Sequence, residues 1–226
     1  MRLLVTLVVL ALGVVAADRV GEQVAEGLVA DRLAPRLVGQ PEVEVEGVPF
    51  LTQVLAGRYD RVRVEAAGVR GLDLALTDLR GTISGLQLPL SDAVAGRIGE
   101  VPVDRLQAQA LVPWSELEAA VADRGVALSA AGPQLRVAGQ VRVRGGEVGA
   151  VSLSDVRVED GAVVVRASRF EVDGAPPADA LARTLRDRFD LRVPVGDLPY
   201  GLALTDLRVE RDGLAVTTSA SDVVLE

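Results

Sequence analysis

Cysteine and histidine are both missing from the 226-residue chain. Without cysteine there is no disulfide and no lipid-modified N-terminal thiol. Without either residue the usual zinc sites are unavailable. Ser-His and Cys-His nucleophile pairs are excluded as well. Acid–base chemistry would have to rest on carboxylates, tyrosine or serine, and the composition argues against an enzyme. Lysine is absent too, so all 24 basic residues are arginine. That bias reflects a GC-rich coding sequence and carries no functional message. Aromatic residues are 3% of a chain that is 49% hydrophobic, which predicts an aliphatic core. The formal net charge of -8 repels polyanions, so nucleic acid is not a partner. The same charge disfavours recruitment to anionic lipid by surface electrostatics. Contact with lipid must then run through the N-terminal segment or an apolar pocket.

The one long hydrophobic run is at the start. Leu3 to Ala17 is interrupted only by Thr6 and Gly13, after a minimal Met1-Arg2 positive region. Its length suits a signal-peptide core and is short of the roughly 20 residues of a spanning helix. Val15-Ala16-Ala17 offers small residues for cleavage before Asp18. Residues 1–17 are therefore read as a signal peptide or a membrane anchor, and the chain as exported to the cell envelope, on the periplasmic face of the plasma membrane. Residues 18–38 predict an amphipathic helix with Val20, Val24, Leu28, Leu33 and Leu37 as its apolar stripe. That continuation favours an anchor.

Beyond Pro41 the period changes from helical to two. Val43-Val45, Val62-Val64, Leu72-Leu74-Leu76, Leu106 to Val112, Leu135-Val137, Val141-Val143 and Val163-Val165 alternate as strands do. Ala67-Gly68, Gly145-Gly146, Asp160-Gly161, Asp173-Gly174 and Asp212-Gly213 read as turns between them. Hairpin turns imply antiparallel pairing. Short helices are expected at about 50–57, 114–123 and 177–189, each with a proline at or just before its start, and a weaker turn at Ser91 to Arg97. No Ser-, Pro- or Gly-rich linker divides the chain, so residues 18–226 are taken as a single domain.

The chain also repeats itself. Leu74-Ala-Leu-Thr-Asp-Leu-Arg80 recurs identically at Leu202–Arg208, with a looser copy at Val151–Arg157. Upstream, Leu51-x-x-x-Leu55-x-x-Arg58-Tyr59-Asp60 resembles Leu181-x-x-x-Leu185-x-x-Arg188-Phe189-Asp190. Two matched segments in the same order imply duplicated units at about 50–80 and 180–208. In each Thr/Ser-Asp copy the apolar alternation changes phase, which predicts a bulge there. Repeated bulges predict a strongly curved sheet. The expected fold is α+β and β-dominated: a curved antiparallel sheet wrapped around or against the N-terminal helix, with short helices at its ends.

Gly47-Val-Pro-Phe-Leu-Thr-Gln-Val-Leu-Ala-Gly-Arg-Tyr-Asp60, the Val-Arg-Val strand after it, Leu88-Pro-Leu-Ser-Asp92 and Asp222-Val-Val-Leu225, together with the leader, resemble the LmeA-like family of actinobacterial envelope proteins. The resemblance spans nearly the whole chain, and Pro49-Phe-Leu-Thr-Gln53 is its most specific part. It implies a fold like the tubular lipid-binding proteins and binding of phospholipid, notably of the phosphatidylinositol type. It also implies a link to mannan elongation of lipoglycans, with envelope glycosyltransferase machinery as a partner. It implies no catalytic motif.

Candidate lipid-binding residues are Phe50, Leu51, Val54, Leu55, Tyr59, Leu88, Trp114, Leu117 and Phe189. The helix bearing Phe50 to Leu55 is either the lip of a cavity or a plug on the end of the sheet. Trp114, the sole tryptophan, sits with Leu117 and Val121 at helical spacing and suits core packing or an interfacial anchor. Tyr59 and Phe189 occupy matched repeat positions, which favours a structural role. Arg58, Arg61 and Arg63 are head-group candidates, because the planar guanidinium fits phosphate, although a solvated face accounts for them more simply. A second arginine cluster is Arg183, Arg186 and Arg188. Acidic runs at Glu159-Asp160 and Asp187 to Asp190 match no metal-binding loop, and no cofactor is expected. The leading reading is a non-enzymatic phospholipid binder or carrier. The alternatives are an envelope scaffold without a lipid cavity and, third, a carboxylate-dependent hydrolase.

Overall fold

In the computed structural model most of the period-two stretches are strands, arranged in two antiparallel sheets. The structure describes residues 2–47, 49–69, 75–94, 99–143 and 146–225. The side chains of residues 2–17, 93–94, 142–143, 180, 184, 187 and 188 lie outside that description. The elements in order are α1 (Arg2–Leu33), β1 (Leu37–Val38), β2 (Glu42–Glu46), α2 (Phe50–Ala56), β3 (Arg58–Val69), β4 (Thr77–Gln87), α3 (Leu90–Val94), β5 (Val101–Pro113), α4 (Trp114–Ala120), β6 (Val126–Ala131), β7 (Gln134–Val143), β8 (Gly146–Glu159), β9 (Ala162–Val172), α5 (Asp179–Phe189), β10 (Leu191–Pro194), β11 (Ala203–Val209) and β12 (Gly213–Leu225). Single 3-10 turns follow α4 at Ala122–Arg124 and precede β11 at Pro199–Gly201. Strand makes up 57% and helix 24%, so the fold is β-dominated.

One sheet has the order β1-β3-β4-β5-β12-β11, with β2 also on β3; the other runs β10-β9-β8-β7-β6. The chain divides into two compact units. The first comprises residues 1–71, 78–108 and 219–226, and the second residues 72–77 and 109–218.

In the first unit α1 packs on β2 and α2. Of the aliphatic stripe that the sequence suggests, its contact face keeps only Leu33, while Leu37 is buried beyond the helix end. Val20, Val24 and Leu28 are 62%, 59% and 62% exposed. The buried face instead carries Asp18, with Gly21, Ala25 and Leu33 partly covered. The partner elements decide this: small residues let the backbones approach, and carboxylates satisfy backbone donors of β2 and α2. Asp18 accepts the backbone N–H groups of Phe50 (3.0 Å) and Leu51 (2.6 Å), and Glu26 accepts that of Val45 (2.9 Å). Those donors at the start of α2 have no partner inside the helix. Helix α1 stops at Leu33, ahead of Pro35, and Leu37 and Val38 pair with β3 instead of extending the helix to 38. Among the described residues no helix is long and apolar enough to cross a membrane; the side chains of the apolar leader are outside that set.

The Pro49-Phe-Leu-Thr-Gln53 segment is a stitch. Proline sets the extended entry to α2, and Gly57 leaves it in the left-handed region (φ 65°). The buried Gln53 amide donates to the carbonyls of Glu46 (3.3 Å) and Gly47 (3.1 Å) and accepts from the Asp60 N–H (2.9 Å). Phe50 and Tyr59 pack with ring centroids 6.3 Å apart among Leu37, Val45, Val62 and Val64. Tyr59 ionises above the ordinary tyrosine value of 10.0 because burial disfavours the phenolate.

Several turn readings hold and one does not. Asp160 and Gly161 both have positive φ (49° and 69°), as a two-residue type I′ hairpin between β8 and β9 requires. Ala67-Gly68 lies inside β3, where Gly68 pairs with Val38, so it is no turn. Gly145 and most of the Leu72-Leu74-Leu76 run fall outside the described residues. Asp212 directly precedes β12, which Gly213 opens, and there glycine is needed for space: a Cβ on Gly213 would lie 2.2 Å from the Val112 carbonyl oxygen.

The irregularity expected at Ser154-Asp155 is present, but on the neighbouring strand. The β8/β9 register shifts between Leu153 and Ser154, with Leu153 opposite Arg169 and Ser154 opposite Ala167. Ser168 is the extra residue. Strand β8 keeps its alternation, and its buried positions are Ala150, Ser152 and Ser154, not Val151 and Leu153. The two serine hydroxyls are fully buried and lie 3.2 Å apart. Leu153 is on the opposite face, across from Arg136 and Arg169. Asp78, in the first copy, takes a positive φ of 50°; Asp206, in the second, does not.

Candidate functional site

The second unit encloses a cavity of about 440 Å³, within the roughly 300–1,000 Å³ of small-molecule sites. Its walls follow from strand alternation. One sheet face contributes Val126 and Leu128 from β6, Leu135 and Val137 from β7, Val156 from β8, Val163 and Val165 from β9, and Leu191 and Val193 from β10. Cross-strand pairing sets them in rows: Leu128 opposes Val137, Val156 opposes Val165, and Val165 opposes Leu191. Residues two apart share a face, so each strand presents one apolar edge.

Trp114, Leu117, Ala120 and Val121 from α4 and its end, Phe189 from α5, and Leu214 from β12 complete the lining. Two contacts hold α4 in place. The Trp114 indole N–H donates to the Arg211 carbonyl (3.0 Å), and Glu118 accepts the Leu128 N–H (2.6 Å). The polar atoms are thereby turned to backbone partners, and the spacing 114, 117, 121 faces the cavity. Phe189 is fixed edge-on to Phe170, centroids 5.9 Å apart, beside the fully buried Leu185. Arg124, at the end of the 3-10 turn, is the only charged residue of the lining among the described residues, and it is exposed.

Of the nine predicted lipid-contact residues, three line this cavity: Trp114, Leu117 and Phe189. The other six belong to the first unit. There Phe50 is buried core, Leu51, Val54, Tyr59 and Leu88 are half-buried, and Leu55 is 80% exposed. The Leu88 N–H bonds to the Gly57 carbonyl (2.9 Å). The three predicted head-group arginines are engaged in the first unit. Arg58 pairs with Asp104, Arg61 with Glu46 (2.9 Å), and Arg63 with Glu44 (3.1 Å) and Glu46 (2.5 Å). The acidic Glu159-Asp160 turn is held by Arg166 and Arg192. The side chain of Arg188 lies outside the described residues.

Leu135-Val137 and Val163-Val165 were legible as buried strand faces, but alternation does not distinguish a packed core from a cavity wall. Arg124 had no signal beyond its position before Gly125.

A family model described as LmeA-like phospholipid-binding matches residues 16–219. The chain belongs to this family. Neither the curated proteins nor the solved structures returned a match. For this LmeA-like chain the family description and the aliphatic cavity name the same chemistry: a ligand with hydrocarbon to bury.

Proposed function

We propose that this protein is a non-enzymatic phospholipid binder or carrier of the cell envelope, seating an acyl chain in the cavity of the second unit. The observation that carries the reading is the cavity lining: among the described residues, fifteen apolar side chains and one arginine, in a chain whose family is phospholipid-binding. Burying one acyl CH₂ contributes about 0.8 kcal/mol, so roughly sixteen carbons offer on the order of 10 kcal/mol before ordering costs. An aliphatic slot alone therefore suffices for capture, and head-group contacts adjust selectivity. The family resemblance extends the proposal to lipids of the phosphatidylinositol type and to support of lipoglycan mannan elongation alongside envelope glycosyltransferases. The apolar leader supports export. The exposed Val20, Val24 and Leu28, on the helix that carries the leader, support attachment to a membrane through that segment.

The test is extraction of the purified full-length protein and mass spectrometry of the extract, followed by incubation with vesicles of isotope-labelled phosphatidylinositol. Bound phospholipid that exchanges with the labelled pool is expected. A protein that carries none and acquires none would sink the proposal.

A further inference from the structure

The second unit pairs an apolar cavity with a cation at its edge, and that pairing is more specific than the cavity alone. Arg124 is exposed yet lines the cavity, so its side chain lies at the rim. Its guanidinium has no hydrogen-bond or ion-pair partner among the described residues. The arginines of β2's neighbour strand contrast with it: Arg61 and Arg63 each face a glutamate. A guanidinium beside an apolar opening is placed to meet the anionic head of an amphiphile whose tail the cavity takes.

The turn explains the placement. Val121 faces the cavity, the chain tightens through Ala122–Arg124, and Gly125 (φ 60°) reverses it into β6, where Val126 returns to the wall. Arg124 is thus held between two lining residues, its stem able to lie on hydrocarbon while its head stays in water. Guanidinium is weakly hydrated, and its planar fork matches two phosphate oxygens.

We infer that Arg124 is the phosphate subsite of this cavity: it holds the phosphodiester of a phospholipid whose acyl chain occupies the apolar interior. The inference rests on the lipid-binding reading proposed above and adds the residue that distinguishes a phospholipid from a neutral lipid.

The sole tryptophan lines the same cavity and supplies the readout. Full-length protein is titrated with dihexanoyl phosphatidylglycerol, dihexanoylglycerol and inorganic phosphate, following Trp114 emission. Wild type is expected to bind the phospholipid roughly tenfold more tightly than the neutral diacylglycerol. Arg124→Gln should erase most of that ratio, weakening phospholipid binding far more than dihexanoylglycerol binding. Arg124→Lys should restore part of it, since charge is kept and the fork is lost. Added salt should weaken phospholipid binding only. Arg58→Gln, whose partner is Asp104 in the first unit, should leave the ratio intact. A ratio that survives Arg124→Gln overturns the inference while the cavity reading stands. Inorganic phosphate binding as tightly as the phospholipid also overturns it, in favour of a free-anion site. No response to either lipid overturns both this inference and the proposed function.

Discussion

The two units use similar residues to opposite ends. In the first, Phe50, Tyr59, Val62 and Val64 close on one another, and the polar groups around them are spent: Asp18 on α2, Gln53 on three backbone atoms, Arg61 and Arg63 on Glu44 and Glu46. In the second, Leu135, Val137, Val163 and Val165 leave an opening of about 440 Å³, and Arg124, at its edge, has no partner among the described residues. A packed interior is made by side chains that meet. A cavity needs walls held from behind, here by hydrogen bonds from α4 and by the Phe170–Phe189 contact. Hydrophobic content alone therefore does not separate a structural unit from a binding one.

The largest expected effect tests the repeat correspondence across that divide. Leu55 and Leu185 occupy matched positions, yet Leu55 is 80% exposed and Leu185 is 1% exposed. Leu185→Ala should cost about 4 kcal/mol, removing a fully buried side chain that backs the cavity. Leu55→Ala should change stability by no more than about 0.5 kcal/mol. Urea unfolding followed by far-ultraviolet circular dichroism measures both. Equal losses would show that the matched segments pack alike.

A second expectation concerns the polar fastening of the first unit. Asp18→Ala leaves the Phe50 and Leu51 N–H groups without acceptors and should cost about 2 kcal/mol locally. Amide exchange at those two positions should quicken roughly thirtyfold, since each tenfold step corresponds to about 1.4 kcal/mol. Asp18→Asn should recover part of the protection. Unchanged exchange would mean that α1 is not what holds α2.

The third pits core against cavity at matched burial. Val64 and Val165 are both 8% exposed. Val64→Phe forces extra volume into a closed core and should cost about 2 kcal/mol. Val165→Phe projects into the cavity and should cost less than about 1 kcal/mol, while abolishing lipid uptake. If the two substitutions are equally destabilising, the second unit is as tightly filled as the first.

The sequence supported the β-dominated class, the antiparallel pairing and three of the short helices, because periodicity and proline placement are local signals. Its failures share a physical cause. The Val20-Val24-Leu28 stripe looked like a core face, but α1 packs through Gly21, Ala25 and two carboxylates, and the choice between faces was made by a partner distant in the chain. Val151 and Leu153 are apolar positions of the repeat in β8, yet Ser152 and Ser154 are the buried pair; small hydroxyl residues fit beneath close packing once they bond each other. At the site, Trp114, Leu117 and Phe189 were legible as aromatic or apolar anchors. Arg58, Arg61 and Arg63 were not distinguishable from Arg124 by residue type: the register of β2 on β3 brings Glu46 and Glu44 opposite Arg61 and Arg63, and Arg58 finds its partner, Asp104, far along the chain.

The smallest expected effect is a pH dependence confined to the first unit's core. Tyr59 ionises above 10.0 in the fold because burial raises it, whereas the unfolded chain ionises at the ordinary value. Between those two values the native state holds the proton and the unfolded state has lost it. Stability is therefore fully present below about pH 10 and declines as pH rises through the folded value. Neither lysine nor cysteine titrates in this window, because the chain has none, and the other tyrosine, Tyr200, is 45% exposed. Urea midpoints measured from pH 8 to about 11.5 should fall at the alkaline end for wild type and fall less for Tyr59→Phe. Identical slopes would place Tyr59 in contact with water and weaken the claim that the first unit has a closed interior.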